Sequence, residues 1–208
     1  IIQVPELSES LKINISIGNS NSETSVAVRS TMRLLQGGVG GIVGLAYSTN
    51  SVVTARLCEY YKVPMVSYSA TSPELSDKAA YPYFLRTIPS DALQGRAMYR
   101  FMQQNTIRSA TFIYSLEPYG EGLFHVVSAQ APVGRTSFGV ISCSMPYYTG
   151  ELNATEAMII IENAKTSVTK VVFIAIVPDQ AVQFLPLAHE EGLFTSAYQV
   201  IGSEAVPF

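Results

Sequence analysis

The chain has 208 residues, which is enough for one large domain or two smaller lobes. It is 48% hydrophobic and only 14% charged, so it is too apolar for a disordered chain and can supply a sizeable core. Its formal net charge is −3 and no run of Lys or Arg occurs, which argues against a nucleic-acid partner.

Short β-branched runs alternate along the chain with longer segments of helical periodicity. The predicted strands are 12–18 (KINISIG), 41–46, 63–69, 83–88, 109–115, 138–144, 170–177 and 197–203. The predicted helices are 22–36, 51–62, 90–105, 120–132, 154–167 and 179–192, the last interrupted by Pro186. This alternation predicts an α/β fold with doubly wound parallel sheets, and a break in character near 105–109 predicts two lobes, 1–107 and 108–208.

Several residue types that can carry chemistry show no functional pattern. Cys58 and Cys143 lack metal-site spacing, and we expect two unpaired thiols. The triplets that begin at Asn14 and Asn153 are N-glycosylation acceptors if the chain is secreted. The sequence has no catalytic motif and no nucleophile with a plausible base, so it predicts no catalytic residue, no cofactor and no metal site.

Polar residues collect where the predicted strands end, and in open α/β sheets ligands bind at the carboxyl ends of the strands. Hydroxyl groups follow two strands, whereas carboxylates and a tyrosine follow three others. These polar runs are 47–49 (YST), 70–72 (ATS), 89–91 (PSD), 117–120 (EPYG) and Glu204. Hydroxyls and helix N-termini suit a carboxylate, and acids with an aromatic face suit an ammonium, so the set predicts a site for a small zwitterion.

Each of these residues also has a simpler structural interpretation. Thr71 or Ser72 could be the N-cap of a helical turn that starts at Pro73. Ser48 could cap the helix that follows it, and Asp91 could stabilise a helix dipole without any ligand. The capping and binding interpretations are compatible, because a capped helix start also presents N–H groups to an anion.

Three further strings identify a family resemblance: SATSPELSDK (69–78), YPYFLR (81–86) and IYSLEPYGEGLF (113–124). With PSD (89–91), they resemble the extracellular ligand-binding module of class C G-protein-coupled receptors, most closely that of the metabotropic glutamate receptors. The resemblance implies a type I periplasmic-binding-protein fold, in which two α/β lobes close on a ligand.

The resemblance also implies a role for each site residue. Ser48 and the segment Ser69–Ala70–Thr71 match positions that bind the ligand's α-carboxylate and amine. Asp91 and Tyr119 match positions that face the amine. Glu204 falls where such receptors usually carry Asp before Gly-Trp, which is a departure from the family's pattern.

For the whole molecule, the resemblance implies a receptor on the extracellular side of the cell membrane. The expected ligand is an α-amino acid, and the expected assembly is a homo- or heterodimer formed through the first lobe. A G protein is the expected partner of a membrane domain outside this chain, and the family's first strand and helix are expected before Ile1. The alternatives are the ligand-binding domain of a receptor cyclase, a bacterial amino-acid transport-binding protein, or an enzyme with a constellation that the sequence does not display.

Overall fold

The computed structural model describes residues 13–130, 139–146 and 152–206, in which helices and strands alternate. The helices are α1 (Thr24–Gln36), α2 (Ser48–Tyr61), α3 (Asp91–Gln104), α4 (Pro118–Ala129), α5 (Ala154–Thr166) and α6 (Pro178–Glu190), with a 3₁₀ turn at Pro73–Ser76. The strands are β1 (Ile42–Val43), β2 (Met65–Ser67), β3 (Phe84–Arg86), β4 (Ser109–Leu116), β5 (Gly139–Pro146), β6 (Val171–Ala175) and β7 (Gln199–Gly202).

The strands form two separate sheets, and all pairs within them are parallel. The first sheet has the order β1-β2-β3 and the second has the order β5-β4-β6-β7. An α-helix connects most successive strands of each sheet, whereas β2 and β3 are joined by a longer segment that contains the 3₁₀ turn. The predicted α/β fold class, of the periplasmic-binding-protein type I kind, is therefore confirmed.

The second sheet is covered on both faces, which explains its uniformly apolar central strand. All five residues of β6 are buried. Side chains alternate between the faces of a strand, so Phe112 and Phe173 pack against α3 and α4, whereas Ile113 and Ile174 pack against α5 and α6. Helix α3 lies within the predicted first lobe but packs against the second sheet, and the division at residues 107 and 108 stays a prediction.

The first sheet has a smaller core. Met65 and Phe84 from its strands are buried against Ala55 and Cys58 of α2 and Leu35 of α1. The thiol of Cys58 is free, as is that of Cys143, and burial raises the pKa of Cys58 to about 11. No helix in the described ranges has the length and apolar character needed to cross a membrane.

Two sequence predictions were wrong. The segment 13–18, predicted as a strand, pairs with no described strand, and Ile13 and Ile17 are 70% and 92% exposed. The helix α6 continues through Pro186 and is not interrupted there. Proline leaves the carbonyl four residues earlier without its usual donor, and that residue, Val182, is exposed, so water can solvate the carbonyl.

Candidate functional site

A cavity of about 320 Å³ lies between the two sheets, at the carboxyl ends of their strands. Five of the predicted site residues contribute to its wall: Ser48, Ser69, Thr71, Tyr119 and Glu204. The remaining lining residues are mainly apolar: Ala46, Tyr47, Ile88, Val177, Pro178 and Ala205. Both sheets therefore supply walls of one cavity, and residues 156 positions apart in the sequence face it together.

Ser48 connects the first helix of the site to the neighbouring turn. Helix α2 begins at Ser48, three residues before its predicted start, and its N-cap is Tyr47. The Ser48 hydroxyl does not cap the helix; it accepts a hydrogen bond from the Ser72 amide at 3.1 Å. Ser48 is thus buried between α2 and the turn, beside the cavity.

The turn after β2 is fixed by side chains from its own sheet. The Ser67 hydroxyl accepts from the amides of Ser69 (3.2 Å) and Ala70 (2.9 Å). Ser72 is the N-cap residue of the 3₁₀ turn and Pro73 is its first residue, but the Ser72 side chain makes no capping hydrogen bond. The predicted proline position is confirmed, whereas the hydroxyl of Ser72 is buried without a partner among the described residues.

Asp91 lies behind the cavity wall and does not line it. It is the first residue of α3, is 2% exposed, and donates its amide to the Thr71 carbonyl at 3.0 Å. Its Oδ2 atom has no hydrogen-bond partner within the described residues. Burial raises the pKa of Asp91 to about 7, and the nearby carboxylates of Glu204 and Glu117 add to this, while Thr71 and Arg86 oppose it.

Tyr119 and Glu204 form the wall that belongs to the second sheet. The Tyr119 hydroxyl donates to the Ser203 hydroxyl at 2.6 Å, which connects α4 to the residue before Glu204. Burial, and next the Glu204 carboxylate, raise the pKa of Tyr119, so its phenol stays neutral. The Glu204 side chain is exposed and lines the cavity.

Glu117 belongs to one of the predicted polar runs, but it does not line the cavity, and the sequence did not predict its structural role. Its carboxylate is 4% exposed and accepts hydrogen bonds from Ser115 Oγ (2.8 Å), Tyr119 N (2.9 Å) and Gly120 N (2.7 Å). It therefore caps α4 and holds the start of the helix that carries Tyr119. An acid directly before Pro-Tyr-Gly at a helix start was the signal that could have revealed it.

Two further hydrogen bonds cross between the halves of the site. Thr49 Oγ1 donates to the carboxylate of Glu117 at 2.9 Å, and the Tyr47 hydroxyl donates to Asp179 at 3.2 Å. Helix α4 and the 3₁₀ turn also lie close together, since a Cβ built on Gly122 would lie 2.7 Å from Pro73 Cδ. The two sheets are thus joined by contacts on both sides of the cavity.

The chemistry of the cavity is divided between its two sides. Hydroxyls and the 69–72 turn lie on the side of the first sheet, and the Tyr119 ring and Glu204 lie on the opposite side. No group of His, Cys, Asp and Glu that could hold a metal ion occurs within the described residues. Groups of different chemistry therefore line the opposite sides of the cavity.

The two predicted glycosylation acceptors lie away from this cavity. Asn14 and Asn153 are both exposed. Asn153 is the N-cap of α5, where its side chain accepts from the amides of Thr155 (3.1 Å) and Glu156 (3.5 Å). Their use as glycosylation sites stays a prediction.

The chain is similar both to a protein-family model and to individual known proteins. The family model described as receptor family ligand binding region matches residues 1–207. The metabotropic glutamate receptor-like protein E of Dictyostelium discoideum is 38% identical over 84 residues, which is 40% of this chain and 10% of that protein. The matched segment thus spans about a tenth of the length of that relative.

Proposed function

This chain belongs to the receptor family ligand-binding region, and from that premise we propose that it binds a small α-amino acid in the cavity between its sheets. The observation that carries the proposal is the division of the 320 Å³ cavity into a hydroxyl side and an acidic, aromatic side. A zwitterion is the small ligand whose two charges complement both sides. The volume is at the lower end for ligand pockets, which favours a small molecule.

The carboxylate of the ligand is assigned to the first sheet. Ser48, Ser69 and Thr71 line the cavity there and carry hydroxyls, and the turn adds the backbone amide of Thr71. Charge-assisted hydrogen bonds from hydroxyls and amides to a carboxylate are about twice as strong as neutral ones. Ser48 and Thr71 are also buried, so these bonds form in a low-dielectric environment.

The ammonium of the ligand is assigned to the opposite side. The Tyr119 ring and the Glu204 carboxylate line the cavity there, and Asp91 lies behind Thr71 with an unpartnered oxygen among the described residues. An ammonium on an aromatic face is stabilised by about 0.5–2 kcal/mol. The charge of the ligand would also offset the repulsion between the acids at Asp91 and Glu204.

A ligand that contacts both walls favours the arrangement in which the two sheets approach each other. We therefore propose that lobe closure is the signal, as in a receptor of class C G-protein-coupled type on the extracellular side of the cell membrane. The name of the Dictyostelium relative supports this receptor class. In this proposal the first lobe mediates dimerisation, and a membrane domain outside this chain engages the G protein.

A screen by thermal shift, followed by calorimetry, tests the ligand class. The dialysed chain is titrated with each of the twenty standard amino acids, and at least one is expected to bind. Thr71→Ala and Glu204→Gln should weaken that binding by roughly tenfold or more. Thr166→Ala is the matched control, because the Thr166 hydroxyl bonds only within the end of α5. Unchanged affinity in both Thr71→Ala and Glu204→Gln would contradict the proposed binding site.

A further inference from the structure

Arg86, the last residue of β3, reaches into the turn that lines the cavity. Its Nη1 atom donates to the carbonyl oxygens of Ala70 (3.2 Å) and Ser72 (2.9 Å), and Nη2 donates to the Ser76 hydroxyl. A guanidinium presents its donors in a rigid planar fork, so it can hold several acceptors at once. Arg86 therefore draws two carbonyls of the turn to one side.

This arrangement fixes the direction of the amides between those carbonyls. In a trans peptide unit the C=O and the following N–H point in opposite directions. Because the Ala70 carbonyl faces Arg86, the Thr71 N–H points away from Arg86. By the same rule, the Thr71 carbonyl faces the Asp91 amide, and the Ser72 N–H points away from it, to Ser48.

The backbone amides of the turn differ in whether they have a hydrogen-bond acceptor. The amides of Ser69 and Ala70 donate to Ser67, and that of Ser72 donates to Ser48. The Thr71 amide, by contrast, has no acceptor among the described residues. Buried N–H groups are nearly always paired, and Thr71 is a buried residue that lines the cavity, so a ligand oxygen is a suitable acceptor.

We propose that Arg86 is a positioning residue that directs the Thr71 amide into the cavity as a donor for the ligand's carboxylate. The proposal rests on the proposed function and deepens it, since it adds Arg86 as the residue that orients a backbone group already expected to bind the carboxylate. Arg86 does not line the cavity and acts through the turn. Its charge also favours the ionised form of Asp91, so one side chain supports both the carboxylate and the ammonium side.

The test uses Arg86→Lys, with Arg56→Lys as the matched control. Lysine keeps the positive charge but cannot hold two carbonyls and a hydroxyl in one fork. Arg56 also donates to a backbone carbonyl of the first half, that of Ala80, and its guanidinium lies 4.4 Å from the centre of the Tyr81 ring. Neither Arg56 nor its partners line the cavity.

The first measurement needs no ligand. Hydrogen–deuterium exchange of the ligand-free chain should be faster by about tenfold at the Ala70 and Ser72 amides in Arg86→Lys, since the turn loses its anchor. Exchange in α5 and β6 should be unchanged, and Arg56→Lys should exchange like the wild type in the turn. Identical turn exchange in Arg86→Lys and the wild type would overturn the proposal.

The second measurement separates positioning from a general structural role. The probe is the standard amino acid that stabilises the wild-type chain most, compared with its α-carboxamide, which lacks the carboxylate. Arg86→Lys should weaken binding of the amino acid by roughly tenfold or more, and it should weaken binding of the carboxamide much less. Equal weakening of both would contradict the assignment to the Thr71 amide. If the wild type binds no amino acid, the proposed function fails, and the exchange measurement still decides the role of Arg86.

Discussion

Thr49 donates its hydroxyl to the carboxylate of Glu117 at 2.9 Å, which joins the first turn of α2 to the N-terminus of α4. The bond crosses from the first sheet's helix to the second sheet's helix, yet neither residue lines the cavity. The same carboxylate caps α4 and accepts the Tyr119 amide. The contact therefore links the distance between the two halves to the position of Tyr119, which lines the cavity.

Replacing Thr49 by Val should weaken ligand binding without touching the ligand site. Valine has nearly the same shape as threonine, but it leaves one oxygen of the buried Glu117 carboxylate short of a donor. The free energy of unfolding should fall by about 1–2 kcal/mol, and affinity for the bound amino acid should fall by about five- to tenfold. Chemical denaturation and calorimetry measure the two effects. Thr49→Ser restores the donor and should behave like the wild type; equal binding by the Val variant would show that the bond does not contribute to closure.

The pH dependence of stability should depend on Asp91. Burial raises the pKa of its carboxyl from 3.8 to about 7, so between these values the folded chain binds more protons than the unfolded chain. The unfolding free energy therefore falls as pH rises through this window, by a few kcal/mol at most, and is constant above it.

Asp91→Asn isolates this contribution, because its side chain stays neutral at all these pH values. The variant should lose the decline in stability between pH 5 and pH 8, measured by urea denaturation at both values. Asp77→Asn is the control, since Asp77 is an exposed turn residue that accepts from the amides of Ala79 and Ala80. A decline that persists in Asp91→Asn would assign the titration to another group.

Ligand affinity should change with pH in the opposite direction. An ionised Asp91 behind the wall would attract the ammonium of the ligand more strongly than a neutral one, so wild-type affinity for the bound amino acid should rise from pH 6 to pH 8. Proton release on binding, measured by calorimetry in buffers of different ionisation enthalpy, reports the same event. Asp91→Asn should bind more weakly and show no such rise; a pH-independent wild-type affinity would contradict the assignment.

The close approach of α4 to the 3₁₀ turn predicts that a side chain at Gly122 will lower stability. A Cβ on Gly122 would lie 2.7 Å from Pro73 Cδ, which is closer than atoms can approach. Alanine favours a helix over glycine, so Gly122→Ala would otherwise be stabilising. We expect instead a loss of about 1–3 kcal/mol of unfolding free energy, because the two halves must separate locally.

A double-mutant cycle tests this explanation directly. Pro73→Ala removes the proline ring, so Gly122→Ala should be neutral or stabilising in that background. The coupling energy is obtained from denaturation of the four proteins. An equal cost of Gly122→Ala with and without Pro73 would show that the clash with the ring is not its cause.

Much of the fold follows from local sequence. The apolar run of β6 predicted a buried parallel strand, and Ser90 and Asp91 predicted the start of α3, where the Ser90 side chain accepts from the Ala92 amide. The run KINISIG has the right residues for a strand, but local propensity cannot form a ladder without a neighbouring strand. The strand prediction therefore failed at KINISIG because strand formation depends on a neighbouring strand as well as on residue types.

The sequence pointed to positions that line the cavity where these residues follow strands, as for Ser48, Thr71 and Tyr119. Sequence reasoning missed the contacts of Arg86 with the turn and of Glu117 with Thr49 because both join residues that are distant in the sequence. Arg86 bonds a turn 14 to 16 positions away, and Glu117 bonds Thr49 across 68 positions. Such pairings depend on how two sheets approach each other, which no local pattern encodes.

The last prediction separates the two functions of Tyr119. Its hydroxyl donates to Ser203 at 2.6 Å, whereas its ring lines the cavity. Tyr119→Phe removes only the hydroxyl, so it should cost about 1 kcal/mol of unfolding free energy and leave affinity for the bound amino acid within about twofold. Tyr119→Leu removes the aromatic face and should weaken binding by about tenfold, because the ammonium loses its contact with the ring. Denaturation and calorimetry on both variants provide the measurement. Equal affinities of the Phe and Leu variants would mean that the ring does not bind the ammonium, and the acidic side chains would then carry that interaction alone.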